Sequence, residues 1–213
     1  MAQQLRPSKS ASKKPKIDWS RSEAAENFAH TVKLYRQGKI DHDNFRRFLL
    51  QHGAYGTRKT DEYAMVRIKI PAGQIYPQQL EKIAQLSEMY SIGSAHVSTR
   101  ENMQLHWVVL EDVSEIMHSL ANVGLTSREA CGNTVRNVMC SPLSGVCNAE
   151  AFDSTPYALA TARFLMRNPL NQSLPRKFKF NFSCCEKHGM TRIVDVGLIP
   201  QIREFDGENQ RGF

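Results

Sequence analysis

No run in this 213-residue chain approaches the ~18 consecutive apolar residues that a membrane helix needs, so no membrane partner is expected. The first sixteen residues lack the apolar core of a secretory signal. Cys-x-x-Cys pairs are missing, and the cysteine count is odd: Cys131, Cys140, Cys147, Cys184 and Cys185. Together these absences point to reduced thiols in a cytoplasmic protein. A broad field of one charge is lacking as well. The net charge is +7, but Arg6, Lys9, Lys13, Lys14 and Lys16 stand in an acid-free tail, and without them 23 basic residues face 21 acidic ones. A near-neutral body argues against a nucleic-acid partner. The tail, residues 1–16, is expected to be disordered and solvated, with organelle targeting as the alternative. No internal repeat is visible.

What is present reads as an α+β chain. Residues 17–56 form a helical arm: Ala25, Phe28, Val32 and Tyr35 recur at helical spacing behind a Ser20 or Ser22 cap. Phe45, Phe48 and Leu49 then mark a second helix from Asp41 to Gln51. Residues 57–125 follow as strand, helix, hairpin and helix, a ferredoxin-like half. Its strand is 62–70, its helix 76–90 with Leu80, Ile83, Leu86 and Met89 inward, and its hairpin turns at Glu101-Asn102. Its last helix is capped by Asp112, with Val113, Ile116, Met117, Leu120 and Val123 as the apolar stripe. Residues 126–213 begin a larger domain with a long loop at 126–145, a helix at 155–167, and strands at 174–182 and 192–199. The end, 204–213, is polar and glycine-punctuated, as in a chain interrupted between elements.

Two strands carry cations opposite an apolar face. In Leu174-Pro-Arg-Lys-Phe-Lys-Phe-Asn-Phe182 the phenylalanines alternate with Lys177, Lys179 and Asn181. In Tyr63-Ala-Met-Val-Arg-Ile-Lys-Ile70, Val66, Ile68 and Ile70 alternate with Arg67 and Lys69. Lysines usually face water. The sharper reading is an anion held between the two strands.

Two further stretches, Ser98-Thr-Arg-Glu-Asn-Met-Gln-Leu-His106 and Gly132-Asn-Thr-Val-Arg-Asn-Val-Met-Cys140, complete a set of four in order. From about residue 22 onward the chain resembles the sirohaem-dependent nitrite and sulfite reductases. The resemblance implies a ferredoxin-like half-domain followed by the first part of a larger α+β domain that holds sirohaem and a 4Fe–4S cluster. It implies six-electron reduction of sulfite to sulfide or of nitrite to ammonia, with ferredoxin or a flavoprotein as electron donor. Arg67, Arg136, Lys177 and Lys179 match the family's substrate-binding cations. Arg100, Gln104, His106, Arg176 and Asn133 match positions that hold sirohaem or line its pocket. Arginine offers fixed, forked donors to oxyanions, and a desolvated lysine releases a proton readily. The expected division is therefore anchoring by Arg67 and Arg136, and anchoring plus proton delivery by Lys177 and Lys179. His96 departs from the basic residue that some members carry there. Without the family, His96, His106 and His188 read as surface or core histidines.

The family's cluster cysteines, Cys-x5-Cys and Cys-x3-Cys, have no counterpart here. Cys140 and Cys147 have six residues between them. Cys184 and Cys185, read as strand neighbours, point to opposite faces. All five cysteines are therefore expected to be small buried thiols that bind no metal, with the 4Fe–4S ligands beyond residue 213 and the chain by itself inactive. The competing reading is a non-catalytic cofactor-binding or assembly subunit that needs a second chain for its cluster.

Overall fold

Apolar side chains at every second position between Tyr63 and Ile70 build one half-buried strand face, and the main core condenses on it. The computed structural model describes Trp19, residues 23–56 and residues 62–213. The tail, the Ser20 and Ser22 caps and residues 57–61 lie outside the described residues.

Helix α1 is Glu23–Arg36 and α2 is His42–Gln51, the latter started by the Asp41 carboxylate accepting the Asn44 amide at 2.9 Å. Strand β1, Ala54–Gly56, and β2, Tyr63–Ile68, follow, then α3, Pro77–Tyr90. Strand β3 is His96–Val97, β4 is Met103–Val109 and α4 is Val113–Ala121. The four strands form an antiparallel sheet in the order β1-β2-β4-β3. Ala64, Val66 and Ile68 pack with Leu105 and Val108 against Ile83, Leu86, Ile116 and Leu120, and Phe28, Val32, Phe45 and Leu49 join the same cluster. Each such buried aliphatic side chain contributes roughly 1.5–3 kcal/mol. The helical pair therefore shares the half-domain's core.

Three expectations are corrected in this half. Leu80 and Met89 are exposed, while Gln79 and Ser87 are buried beside Ile83 and Leu86. Gln79 can turn inward because both ends of its amide are satisfied: Nε2 donates to the Val123 carbonyl and Oε1 accepts the Tyr76 amide, each at 3.0 Å. Lys69 is buried as well, although the strand pattern put it with Arg67 on an open face. The Asp112 position starts α4, but no side-chain capping bond forms.

The second half has its own cluster: Trp19, Val138, Cys140, Ala158, Ala162, Met166 and Phe182. Strand β5 is Met139–Cys140, α5 is Thr155–Leu165, β6 is Phe180–Phe182 and β7 is Val196–Leu198. These strands are parallel in the order β5-β6-β7. The expected long strand at 174–182 shrinks to β6, with one further parallel bridge between Val135 and Phe178. Its faces also differ from simple alternation, since Asn181 is buried and Phe178 exposed. A last hairpin pairs β8, Gln201–Phe205, with β9, Glu208–Gly212, where an interrupted, irregular end was expected. Asp206 and Gly207 turn it with φ of 53° and 78°, the two positive values that an Asp-Gly hairpin turn requires. No described helix is long and apolar enough to cross a membrane.

Candidate functional site

The open face of the first sheet carries a row set by strand register. Arg67 on β2 pairs with Gln104 on β4, and Gln104 pairs in turn with His96 on β3. Tyr55 on β1 pairs with Met65 and so shares this face, placing its ring 5.5 Å from the Arg67 guanidinium. From the second half, the Val135–Phe178 bridge lays two loop segments side by side. The Arg136 amide donates to the Phe178 carbonyl at 2.9 Å, and the Phe178 amide donates to Thr134 at 3.1 Å. That register puts Arg136 on the same side as Lys177 and Lys179. The two halves meet at a cavity of about 440 Å³ whose lining includes Arg67, Arg100, Arg136, Lys177, Lys179, Gln104 and His96. Among the described residues no carboxylate lines it.

The arginines are aimed by backbone carbonyls. Arg136 donates to Gly132 at 3.0 Å and Ala130 at 2.9 Å. Arg67 reaches Ala130 and the Gln104 side chain, both at 3.4 Å. Arg100 donates to Asn137 at 2.6 Å and Phe180 at 3.1 Å, while Asn137 itself ties the Ile70 and Arg100 carbonyls. The Nε atoms of Arg67 and Arg100 are buried without a hydrogen-bond partner. Burial is the main influence lowering the Arg100 pKa, opposed by Glu101. Two buried donors and five cations around one cavity form a built receptor for a group rich in negative oxygen.

Of the residues selected from sequence, Arg67, Arg136, Lys177, Lys179, Arg100 and Gln104 line this cavity, and His96 joins them. His106 stands next to it, its ring 6.2 Å from that of His96. Arg176 and Asn133 are outside the lining, with Asn133 donating to the Pro175 carbonyl at 3.4 Å. Lys177 is exposed and Lys179 half-buried, so the desolvated lysine of this region is Lys69. Lys69 is spent on Glu129, 3.7 Å away, and on the Val135 carbonyl at 3.3 Å. Tyr55, Ser98, Thr99 and Asn102 also line the cavity and were not selected. Tyr55 was hidden because β1 has only three residues, too short for an alternation signal. Beneath the arginines, burial pushes the Cys131 thiol up to about 11.

The thiols correct another expectation. β6 ends at Phe182, so Cys184 and Cys185 lie in a turn, and their sulfurs are 4.0 Å apart instead of on opposite faces.

Fold and cavity define an α+β protein in which a ferredoxin-like half and a second domain meet at a cation-lined cavity. The nitrite/sulfite reductase ferredoxin-like half domain matches residues 55–123, and the nitrite and sulphite reductase 4Fe-4S domain matches residues 131–207. The chain belongs to the nitrite/sulfite reductase family. It is 34% identical over 164 residues to the assimilatory ferredoxin-dependent nitrite reductase of Haloferax mediterranei, covering 72% of this chain and 28% of that protein. It is 36% identical over 139 residues to a ferredoxin sulfite reductase of Mycobacterium tuberculosis, covering 64% and 25%. The solved Mycobacterium tuberculosis NirA protein superposes with a TM-score of 0.70 at 25% identity, over 86% of this chain and 40% of that one. The chain thus spans about a quarter of the length of the curated relatives it matches.

The family's cofactors are sirohaem and a 4Fe–4S cluster. The cation-lined cavity, with its two unpartnered buried guanidinium nitrogens, fits the carboxylates of sirohaem. The cubane finds no such fit, because it takes four thiolates. The described thiols offer one cluster of three, Cys147, Cys184 and Cys185, completed by His188.

Proposed function

We propose that this chain supplies the anion-binding wall of a sirohaem-dependent sulfite or nitrite reductase, catalysing six-electron reduction to sulfide or ammonia. The observation that carries the reading is the meeting of the Arg67–Gln104–His96 row with Arg136, Lys177 and Lys179 over one cavity whose described lining holds no carboxylate. Sirohaem, when bound, supplies the electron chemistry. Arg100 and Gln104 hold its carboxylates, with His106, Arg176 and Asn133 assigned by resemblance to the rim. Arg67 and Arg136 anchor the substrate oxyanion with forked donors already oriented by carbonyls. Lys177 and Lys179 add charge on the solvent side, from which protons reach departing oxygen. A ferredoxin is the donor favoured by the names of the relatives, and the five free thiols suit a cytoplasmic setting.

A second reading is favoured by the donor set among the described residues, three clustered thiols and a histidine where a cubane takes four thiolates: a cofactor-holding subunit whose cluster is carried by other polypeptide. The 4Fe–4S ligands are placed outside residues 1–213 in both readings. Titration of the full 213-residue chain with sirohaem, followed by its visible absorption, tests the shared core. Saturable binding that weakens in Arg100→Gln is expected, and binding unaffected by that change overturns it. Both readings expect the chain alone to give no sulfite or nitrite turnover with a reduced ferredoxin. Turnover by the chain alone would refute the placement of the cluster ligands outside it.

A further inference from the structure

We infer that Cys147, Cys184, Cys185 and His188 form a mononuclear metal site for a zinc-class divalent ion, separate from the anion cavity. Their ligand atoms all lie within 4.8 Å of one another. The Cys147 and Cys185 sulfurs are 4.0 Å apart, as are those of Cys184 and Cys185, and His188 Nδ1 is 3.1 Å from the Cys185 sulfur. A tetrahedral ion with metal–sulfur bonds of about 2.3 Å sets its ligand sulfurs about 3.8 Å apart. The observed spacing is that of one ion. A cubane, with one thiolate on each of four irons, holds its ligands farther apart than this. The donor set agrees: three thiolates and one imidazole suit a borderline-soft cation.

The chain is shaped to bring these groups together. Cys185 and His188 close a Cys-x-x-His turn through an antiparallel bridge, and the Ser183 hydroxyl bonds to the Cys185 and His188 carbonyls inside it. Gly189 permits that closure. Its φ is 101°, and a Cβ there would meet the Ser183 hydroxyl at 2.8 Å. Cys147 arrives from the loop before α5, and the Ser141 hydroxyl donates to the Cys184 sulfur at 3.4 Å, as an outer partner of a metal thiolate does. All five cysteines are free, so no disulfide competes for these sulfurs. Nothing else in the described residues gives Cys184 and Cys185 a common task. The ion would pin the 141–150 loop to the turn that leads into β7 and the final hairpin.

Cobalt(II) titration of the full chain, stripped of metal and kept reduced, tests this. One equivalent should produce thiolate-to-cobalt charge-transfer absorption and the intense ligand-field bands of a tetrahedral site, and zinc should erase both. His188 is exposed, so His188→Asn keeps the fold while removing one ligand. Loss of an outer partner alone weakens such sites about 10–100-fold, so this variant should weaken cobalt binding at least as much. Cys185→Ser should abolish the bands, and circular dichroism reports its folding. Absence of tetrahedral bands in the wild-type chain overturns the site. So does a His188→Asn titration that matches wild type, or purified chain that carries iron and sulfide in place of a single ion. Sirohaem binding plays no part in these readouts.

Discussion

The Lys69 ammonium lies 3.7 Å from the Glu129 carboxylate, and both side chains are almost wholly enclosed. Burial pulls the Lys69 pKa down to about 8 against the pull of Glu129. Glu129 also accepts the Arg167 amide and the Gln172 side chain, each at 2.7 Å, so it ties Lys69, just past β2, and the segment after α5 to the loop that carries Arg136. Lys69→Met leaves an uncompensated buried carboxylate and is expected to cost about 3–5 kcal/mol in urea unfolding. The double variant Lys69→Met/Glu129→Leu should lose less than Glu129→Leu and Lys69→Met added together, because neither charge is then stranded.

Two glycines of the same backbone hand separate local strain from packing. Gly38 has φ of 71° and open space where a Cβ would stand, with nothing within 4 Å. At Gly53, φ 79°, a Cβ would collide with the Ser127 carbonyl oxygen. Gly38→Ala should therefore cost about 1 kcal/mol. Gly53→Ala should cost several times that. The Gly53 carbonyl accepts the Arg67 amide at 2.8 Å, so the same change should also weaken sulfite binding to the sirohaem-loaded chain. Equal losses in the two variants would show that contact with Ser127 is unimportant.

Glu101 gives the fold a pH dependence of known sign. Burial raises its pKa to about 7 from 4.5, with the Cys140 amide and Arg100 opposing. A carboxyl raised on folding stabilises the native state below its unfolded pKa and loses that contribution as pH climbs through about 7. Glu101→Gln should flatten the stability profile between about pH 4.5 and 7. At pH 8 it should be the more stable protein, by on the order of 2 kcal/mol.

Periodicity made most helices and the first sheet legible, and the motif order brought six of the chosen residues to one cavity. What escaped it depended on partners remote in sequence. Lys69 alternates like a surface lysine, and Glu129 and the Val135 carbonyl, both in a distant loop, make its burial tolerable. Leu80 and Met89 sit on the apolar stripe of a helical wheel, yet α3 is turned by Gln79, whose amide is satisfied by Val123 beyond α4. Cys184 and Cys185 were read as strand neighbours because nothing in Phe-Asn-Phe-Ser-Cys-Cys marks where β6 stops. The final hairpin did announce itself: Asp206-Gly207 is a strong turn signal, obscured by flanking strands with no buried residue.

The cavity itself makes the last prediction. Arg67 and Arg136 are held by the shared Ala130 carbonyl and line the cavity, whereas Arg176 is exposed outside the lining. Charge alone would make the three interchangeable, since all raise the local potential by similar amounts within a Debye length. Orientation does not. Arg67→Gln and Arg136→Gln should each weaken sulfite binding to the sirohaem-loaded chain at least about tenfold, the worth of one charge-assisted hydrogen bond of roughly 1.5–3 kcal/mol. Arg176→Gln should shift it by less than about twofold, as a screened surface charge does. Sulfite titration of the sirohaem spectrum at two salt concentrations measures both. Equal losses at all three positions, erased together by salt, would reduce the cavity to a diffuse positive patch.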